Sequence, residues 1–376
     1  MSEIAAPAGR DLITNSRAQC FKTCRRKHYF AYVLGVRKEP SEALRLGGAV
    51  HEGLDVFKKT NDMALAIGAV VENYEKLLFA SQSMERDELL LLECEKAVQL
   101  VKGWIWRWGD DASVEIVASE LRFRQSIRNP ETNHPNRNHY SAGKIDGICS
   151  VDGRLLLLEH KTCSEDVTPG SEYWDRVRLD EQITRYILAS READWYVEGV
   201  FYDVIRKPSI SPKQVPNLDD DGRPIVLDES GERVFKANGE PVRTSNSSKG
   251  WKAQTHVEST DEYGKRLYDD IRARPDFYFA RMEIPRLESE LAEMREEIWQ
   301  VAQDIRHAET NGHHFKNSHS CKSPYPCAYL PICTQGLDLS GELPEGFIRL
   351  NNVNPELEDD HADTDTPACG PTQEAE

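Results

Sequence analysis

Residues 140–163, YSAGKIDGICSVDGRLLLLEHKTC, constrain the fold more tightly than any other stretch of this 376-residue chain. Two runs rich in Ile, Val and Leu flank Asp152-Gly153, and Asp-Gly between such runs is the strongest short-range signal for a hairpin with a two-residue loop. The register follows. Val151 faces Arg154, each step back along one strand is a step forward along the other, and Asp146 falls across from Glu159. Opposed side chains on one face of an antiparallel pair have Cβ atoms about 4.5–5.5 Å apart. Lys161, two residues beyond Glu159, projects from the same face. Two carboxylates this close repel unless neutralised, and a hard divalent cation, magnesium or manganese, is the simplest neutraliser. Beside such a metal, Lys161 can orient or deprotonate a water, or hold a phosphate oxygen as charge develops. The chemistry indicated is phosphodiester hydrolysis. The plainer reading is a hairpin carrying a surface salt bridge.

Around the hairpin the chain reads as alternating helices and strands. Ser16 can cap a basic, aromatic helix that stops near Gly35. Its Lys22, Arg25, Arg26 and Lys27, with Tyr29, Phe30 and Tyr32, either meet phosphates and bases or form a solvated face over an aromatic core. A helix over 43–59 carries Gly47 and His51, and His51 is either structural or completes the metal site. Helices over 64–79 and 85–108 end in Trp104, Trp106 and Trp108, read as core or lid. A strand over 114–127, a polar loop over 128–138 and the hairpin follow. A helix over 172–190 puts Gln182 and Tyr186 on one face. Gly199–Arg206 is the next strand. Residues 207–258 hold turn-like Gly222, Gly231 and Gly239, suggesting ribbons on an insertion that shapes a substrate channel or is a surface loop. A helix over 261–274, a strand over 277–284, a charged helix over 286–307 and the run Cys321-x5-Cys327-x5-Cys333 complete the chain before its tail.

The net charge of −17 argues against a nucleic-acid partner until its distribution is considered. Residues 350–376 carry eight acidic side chains and no Lys or Arg, almost half of that charge. Such a tail is a solvated, disordered extension or a DNA mimic that shields a groove. No apolar run approaches membrane-spanning length and no signal-peptide pattern opens the chain, so a cytoplasmic location is expected. Nine cysteines in a reducing compartment point to metal or iron–sulfur ligation rather than a disulfide framework. Without a G-x-x-x-x-G-K-[ST] phosphate loop, any ATP-driven motor must be a partner such as a helicase.

The succession G-x-x-D at Gly143 to Asp146, E-x-K at Glu159 to Lys161 and Q-x-x-x-Y at Gln182 to Tyr186 resembles the PD-(D/E)XK nuclease superfamily. It is most similar to the RecB-type branch, which includes CRISPR-associated single-strand exonucleases and many phage or bacterial relatives. The resemblance spans roughly residues 16–335. It implies an α/β, restriction-endonuclease-like core, α-β-β-β-α-β with a mixed sheet flanked by helices. Added to that core would be a helical insertion over about 61–110, a variable insertion over about 207–258 and an iron–sulfur segment over 321–333, between a flexible 1–15 and a disordered tail over 350–376. It implies that Asp146 and Glu159 hold the metal, with His51 and the Ile148 or His160 carbonyl as further ligands. Lys161 would activate water, and Gln182 and Tyr186 would position the strand. Ile145 stands where the family pattern has Pro. In RecB-type nucleases a helix like the first one supplies a cluster cysteine, here Cys24. A four-iron four-sulfur cluster would then use Cys24, Cys321, Cys327 and Cys333, with Cys20 competing as fourth ligand. Zinc also accepts four thiolates but usually uses shorter knuckles. The implied activity is a metal-dependent DNA nuclease, an exonuclease on single strands or duplex ends in recombination, repair or phage DNA processing. A helicase or recombinase would be its partner. The alternatives are a nucleic-acid-binding recombination subunit with a vestigial site and a zinc-stabilised structural protein.

Overall fold

Thr14 rather than Ser16 caps the first helix, its side chain accepting the Arg17 N–H. The chain before it is already held. β1 (Leu12–Ile13) pairs parallel with Tyr140 and Ser141, and Ile13 is wholly buried. The computed structural model describes residues 8–357 except 82, 323–325, 338 and 340. Of the flexible N-terminus expected over 1–15, residues 8–15 are therefore structured, and 1–7 lie outside the described residues. Arg17 is the cause. Its buried guanidinium donates to the Arg10 carbonyl, to the Leu12 carbonyl at 2.9 Å, to Glu309 at 2.8 Å and to His28 Nε2 at 3.1 Å. Tertiary bonds of this kind leave no periodicity in a sequence.

The single helix expected from Ser16 to Gly35 is three pieces: α1 (Asn15–Thr23), α2 (Arg25–His28) and a π-helical turn, Tyr29–Val33. Cys24 interrupts it with extended backbone, φ −163° and ψ 116°. Of the basic residues, Lys22 pairs with Glu181 at 2.6 Å and with Glu297, Arg25 with Asp304 at 3.2 Å, and Arg26 with the His314 carbonyl at 2.7 Å. Phe30 and Tyr32 are buried. For these side chains, a charged face over an aromatic core is the better description.

His28 gives the fold an acid sensitivity. Burial first, then neighbouring Arg17, pushes its pKa down to about 2, whereas an unfolded His takes a proton below about 6.5. Between those values the unfolded chain binds the extra proton, so stability present above pH ~6.5 is lost as pH falls, at up to about 1.4 kcal/mol per unit for this group. Urea unfolding of His28→Gln should show a shallower loss between pH 6 and 5. An unchanged slope would mean that other groups carry it.

β2 (Val36–Lys38) leads into a three-helix layer, α3 (Glu42–Thr60), α4 (Met63–Phe79) and α5 (Met84–Trp108). Apolar residues at helical spacing face inward, among them Leu46, Val50, Leu54, Val70, Tyr74, Val101 and Trp104. Each fully buried large side chain contributes about 1.5–3 kcal/mol. A Cβ on Gly53 would lie 2.7 Å from Val70 Cγ2, so the helices meet where only glycine fits.

The sheet follows: β3 (Val114–Arg128), β4 (Pro135–Val151) and β5 (Arg154–Cys163), then α6 (Glu172–Val177), α7 (Glu181–Glu192) and β6 (Gly199–Arg206). The helix expected over 172–190 is thus two, because Asp180 caps the second by accepting the Gln182 N–H. Asp152 and Gly153 take φ 50° and 76°, the left-handed pair that a two-residue loop of matching twist requires. Val151 pairs with Arg154 and Gly147 with Leu158, in the register read from the sequence. There the β4–β5 ladder ends. Tyr140 pairs both with Ser126 of β3 and with Leu12 of β1, so β1 occupies the edge of β4 that β5 has left. The strands therefore fork at Asp146 and Glu159. β6 lies parallel to β5.

In the insertion, β7 (Gln214–Pro216) pairs with β10 (Thr255–Val257), and β8 (Val226–Leu227) with β9 (Lys252–Ala253). Gly222, Gly231 and Gly239 have positive φ of 72°, 83° and 81°, as tight turns there demand. α8 (Thr260–Ala273), α9 (Pro275–Tyr278) and the edge strand β11 (Phe279–Pro285) follow, the last antiparallel to β6. α10 (Glu288–Asn311) packs beside α7 on one face of the mixed sheet, opposite the α3–α5 layer. The sheet is thus flanked by helices.

After α11 (Leu330–Gln335), β12 (Phe347–Arg349) pairs with β2. The tail expected free from residue 350 is docked through 357. The Leu350 N–H reaches the Gly35 carbonyl at 2.8 Å, Arg37 reaches the Val353 carbonyl at 2.7 Å, and Val353 and Asn354 are buried. Acidic composition hid a short anchor that works through one apolar side chain and backbone bonds. Residues 358–376, with Cys369, lie outside the described residues. Ending the chain after residue 357 should leave the melting midpoint unchanged. Ending it after 350 should cost about 2–4 kcal/mol from lost burial and hydrogen bonds, and equal midpoints would contradict this docking.

Candidate active site

The fork between β4 and β5 creates the site. Where the ladder stops, the His160 N–H is bonded by the Asp146 side chain, Oδ2 accepting at 2.9 Å. His51 on α3 brings Nδ1 to 3.6 Å from that oxygen. Glu159, 2% exposed, lies at the same opening. Its Oε1 accepts from Lys161 Nζ at 2.6 Å and from Gln182 Nε2 at 3.0 Å, and Lys161 Nζ also donates to Gln182 Oε1 at 2.8 Å. Glu159, Lys161 and Gln182 form a closed triangle. Tyr186, a turn after Gln182, packs its ring edge-on to Phe123 at 5.7 Å. Burial raises its hydroxyl pKa, so it stays neutral. Gly143 is required because a Cβ there would lie 2.7 Å from Phe123 and 2.9 Å from Tyr186.

The two carboxylates have opposite tendencies. Burial works against a charge on Asp146, but neighbouring His51 and the bonded His160 N–H hold it below the usual carboxylate range. Burial, with the Asp146 charge in support, pushes Glu159 up to about 7 against the opposing Lys161. Lys161 is buried too, yet Glu159 keeps its pKa raised, so its resting form is the ammonium. Burial lowers His51 while Asp146 raises it, and Asp146 prevails. Environments that separate two neighbouring carboxylates in this way mark sites of acid–base or metal chemistry.

His160 divides its groups between two faces. Its imidazole points away from Glu159, edge-on to Trp104 at 5.9 Å and 3.6 Å from Asp203 Oδ2. Burial holds it neutral. Its ring also meets His51 edge-on at 6.0 Å, while its main-chain N–H faces the fork. Carboxylate oxygens from Asp146 and Glu159, a carbonyl from His160 and a nitrogen from His51 make a mainly hard donor set, suited to magnesium or manganese. Among the described residues no three His, Cys, Asp or Glu side chains form a ready-made metal cage. Lys161 and Gln182 occupy Glu159 Oε1, so coordination through that atom requires them to yield.

Two contributors escaped the sequence reading. Lys58 donates to the Asp146 carbonyl at 3.4 Å; it stands two helical turns beyond His51, a spacing that could have revealed it. Asp203, fully buried in β6, accepts from Trp104 Nε1 at 2.8 Å and from Arg281 at 3.1 Å. An acid inside the apolar run GVFYDVIR was the available signal.

At the far end of the chain, Asn317 links two cysteines. Its N–H meets Cys24 Sγ at 3.4 Å, and Cys321 Sγ meets its carbonyl at 3.6 Å. Cys20, Cys327 and Cys333 border the neighbouring cluster of Phe30, Val36 and Tyr329. Burial raises the Cys333 thiol pKa, and Cys24 and Cys327 are close enough to raise it further. Burial pushes Cys20 up to about 11. No disulfide joins any of the described cysteines.

The sequence pattern of the family described as the PD-(D/E)XK nuclease superfamily matches residues 13–334. A solved structure titled "Crystal structure of SSO0001" overlaps 87% of this chain and 88% of its own, at 10% identity and a TM-score of 0.27, too loose a superposition to carry an argument. No curated protein matches the chain. Among the described residues no helix is long and apolar enough to cross a membrane.

Proposed function

We propose that this chain, which belongs to the PD-(D/E)XK nuclease superfamily, is an exonuclease acting on single-stranded DNA or duplex ends. Membership makes it a metal-dependent nuclease in general; the exonuclease mode is our reading. The observation that carries the site assignment is the fork, which gathers Asp146, Glu159, Lys161, Gln182 and His51 at one opening. Asp146, Glu159, the His160 carbonyl and His51 would hold Mg2+ or Mn2+, which when bound supplies Lewis acidity to the phosphate and a more acidic water. Lys161 orients the attacking water or holds a phosphate oxygen as charge builds. Gln182, bonded to both Glu159 and Lys161, fixes their separation, and Tyr186 braces α7 against β3 at Phe123. Asp203, with Trp104 and Arg281, supports β5 from behind.

The four-iron four-sulfur cluster belongs to this reading, on Cys24, Cys321, Cys327 and Cys333, with Cys20 the competing ligand. Its support is the meeting of Cys24 with a segment nearly 300 residues later, and the Asn317 N–H aimed at its sulfur. A helicase or recombinase partner is proposed because the sequence has no phosphate loop. The test uses anaerobically purified protein with 5′-labelled, 3′-labelled and circular strands in magnesium or manganese. An exonuclease leaves the circle intact and degrades the linear strands from one end. Cleavage of the circle would make it an endonuclease.

A further inference from the structure

Arg185 on α7 is 3% exposed, and among the described residues none of its three guanidinium nitrogens has a hydrogen-bond partner. Glu181, a turn earlier, is an acid whose field it feels, but that carboxylate is bonded to Lys22. A permanent cation with five donors is costly to leave unpaired and buried. Burial pulls even this guanidinium down to about 10, with Glu181 opposing.

Arg185 lines a cavity of about 220 Å³ enclosed by the end of β3, the loop after it, α7 and α10. Its charged lining is Arg128, Arg185, Arg295 and one acid, Glu192, an excess of positive charge. Ser126, Ser141 and Asn133 add neutral polar groups, while the Gln125 side-chain amide is engaged with the Ala189 carbonyl at 2.7 Å. Asp146, Glu159 and Lys161 do not line it. Ser141 stands five residues before Asp146 on β4, roughly 17 Å along the strand.

We propose that this cavity is a binding site for a phosphate group, with Arg185 as its buried counter-ion and Arg128 and Arg295 at its rim. A guanidinium grips an oxyanion with two parallel N–H bonds, which is the pairing Arg185 lacks among the described residues. The space admits a phosphate with the atoms that bear it. The phosphate comes either from a nucleic-acid strand end or from a free small phosphate.

The test is calorimetric titration of the full chain, purified anaerobically and kept in chelator, so that phosphate held through a divalent metal does not contribute. Wild-type protein should bind inorganic phosphate saturably, and Arg185→Gln should weaken it at least tenfold. Oligonucleotides bearing a 5′-phosphate, a 3′-phosphate or only hydroxyl ends identify the source. A preference for a phosphorylated end that Arg185→Gln abolishes assigns the site to a strand terminus. Equal oligonucleotide binding beside an intact phosphate response assigns it to a small phosphate. No saturable phosphate binding by wild type, or undiminished binding by Arg185→Gln, overturns the proposal. Should Arg185→Gln fail to fold, Arg295→Glu at the exposed rim decides: a several-fold loss supports the site, and unchanged affinity refutes it. Because the readout is binding, it stands or falls separately from strand cleavage.

Discussion

Asp146→Ala, Glu159→Ala and Lys161→Ala should each reduce strand cleavage by about 10³-fold or more, the scale set by losing a group that acts only in the transition state, while the protein remains folded. The geometry says why folding survives. Asp146→Ala leaves the His160 N–H without its acceptor, a loss of about 1–3 kcal/mol. Lys161→Ala leaves Glu159, whose raised pKa lets it take up a proton and remain buried as a neutral acid bonded to Gln182. Glu159→Ala leaves Lys161 held by the Gln182 carbonyl. The isosteric Asp146→Asn and Glu159→Gln separate charge from shape: both keep side-chain oxygen yet should be equally inactive if the carboxylates serve a metal. Measured turnover close to wild type in any of the three alanine variants, with circular dichroism unchanged, would remove that residue from the mechanism.

Cys327→Ser should bleach anaerobically purified protein, brown in the wild type, and lower its stability by a large part of the ~10 kcal/mol that a structural metal centre can contribute. The size of the effect follows from what the cluster would join. Cys24 lies at the break between α1 and α2, whereas Cys321, Cys327 and Cys333 follow α10, so the cluster would tie the first helix to the segment after α10 beside the Phe30, Val36 and Tyr329 group. Losing the metal should loosen both, raising amide exchange in α1, α2 and α11 while the sheet stays protected. Colourless wild-type protein with stoichiometric zinc would replace iron–sulfur by zinc. Cys24→Ser retaining a full cluster would move the fourth ligand to Cys20, one helical turn away.

What the sequence determined by itself was local. The Asp152-Gly153 loop and the β4–β5 register from Val151–Arg154 back to Gly147–Leu158 were legible because two-residue periodicity and left-handed turn residues act within a dozen positions; the direct pairing of Asp146 with Glu159 that this register predicts is lost where the strands part. The helical layer from 43 to 108 was legible to within a residue or two at each end for the same reason. The tertiary structure alone decided the rest. Nothing in residues 140–163 reveals that β5 leaves β4 at Glu159, since the fork depends on β1 taking the vacated edge from 130 residues away. The docking of Val353 against Arg37, the Asn317 contact at the Cys24 break and the anchoring of Arg17 by Glu309 depend likewise on partners distant in sequence. So does the isolation of Arg185, which arises only when β3, α7 and α10 close around it. Periodicity reports which face of an element is buried; which groups meet there, and which are left without a partner, is settled only when elements far apart in the chain pack together.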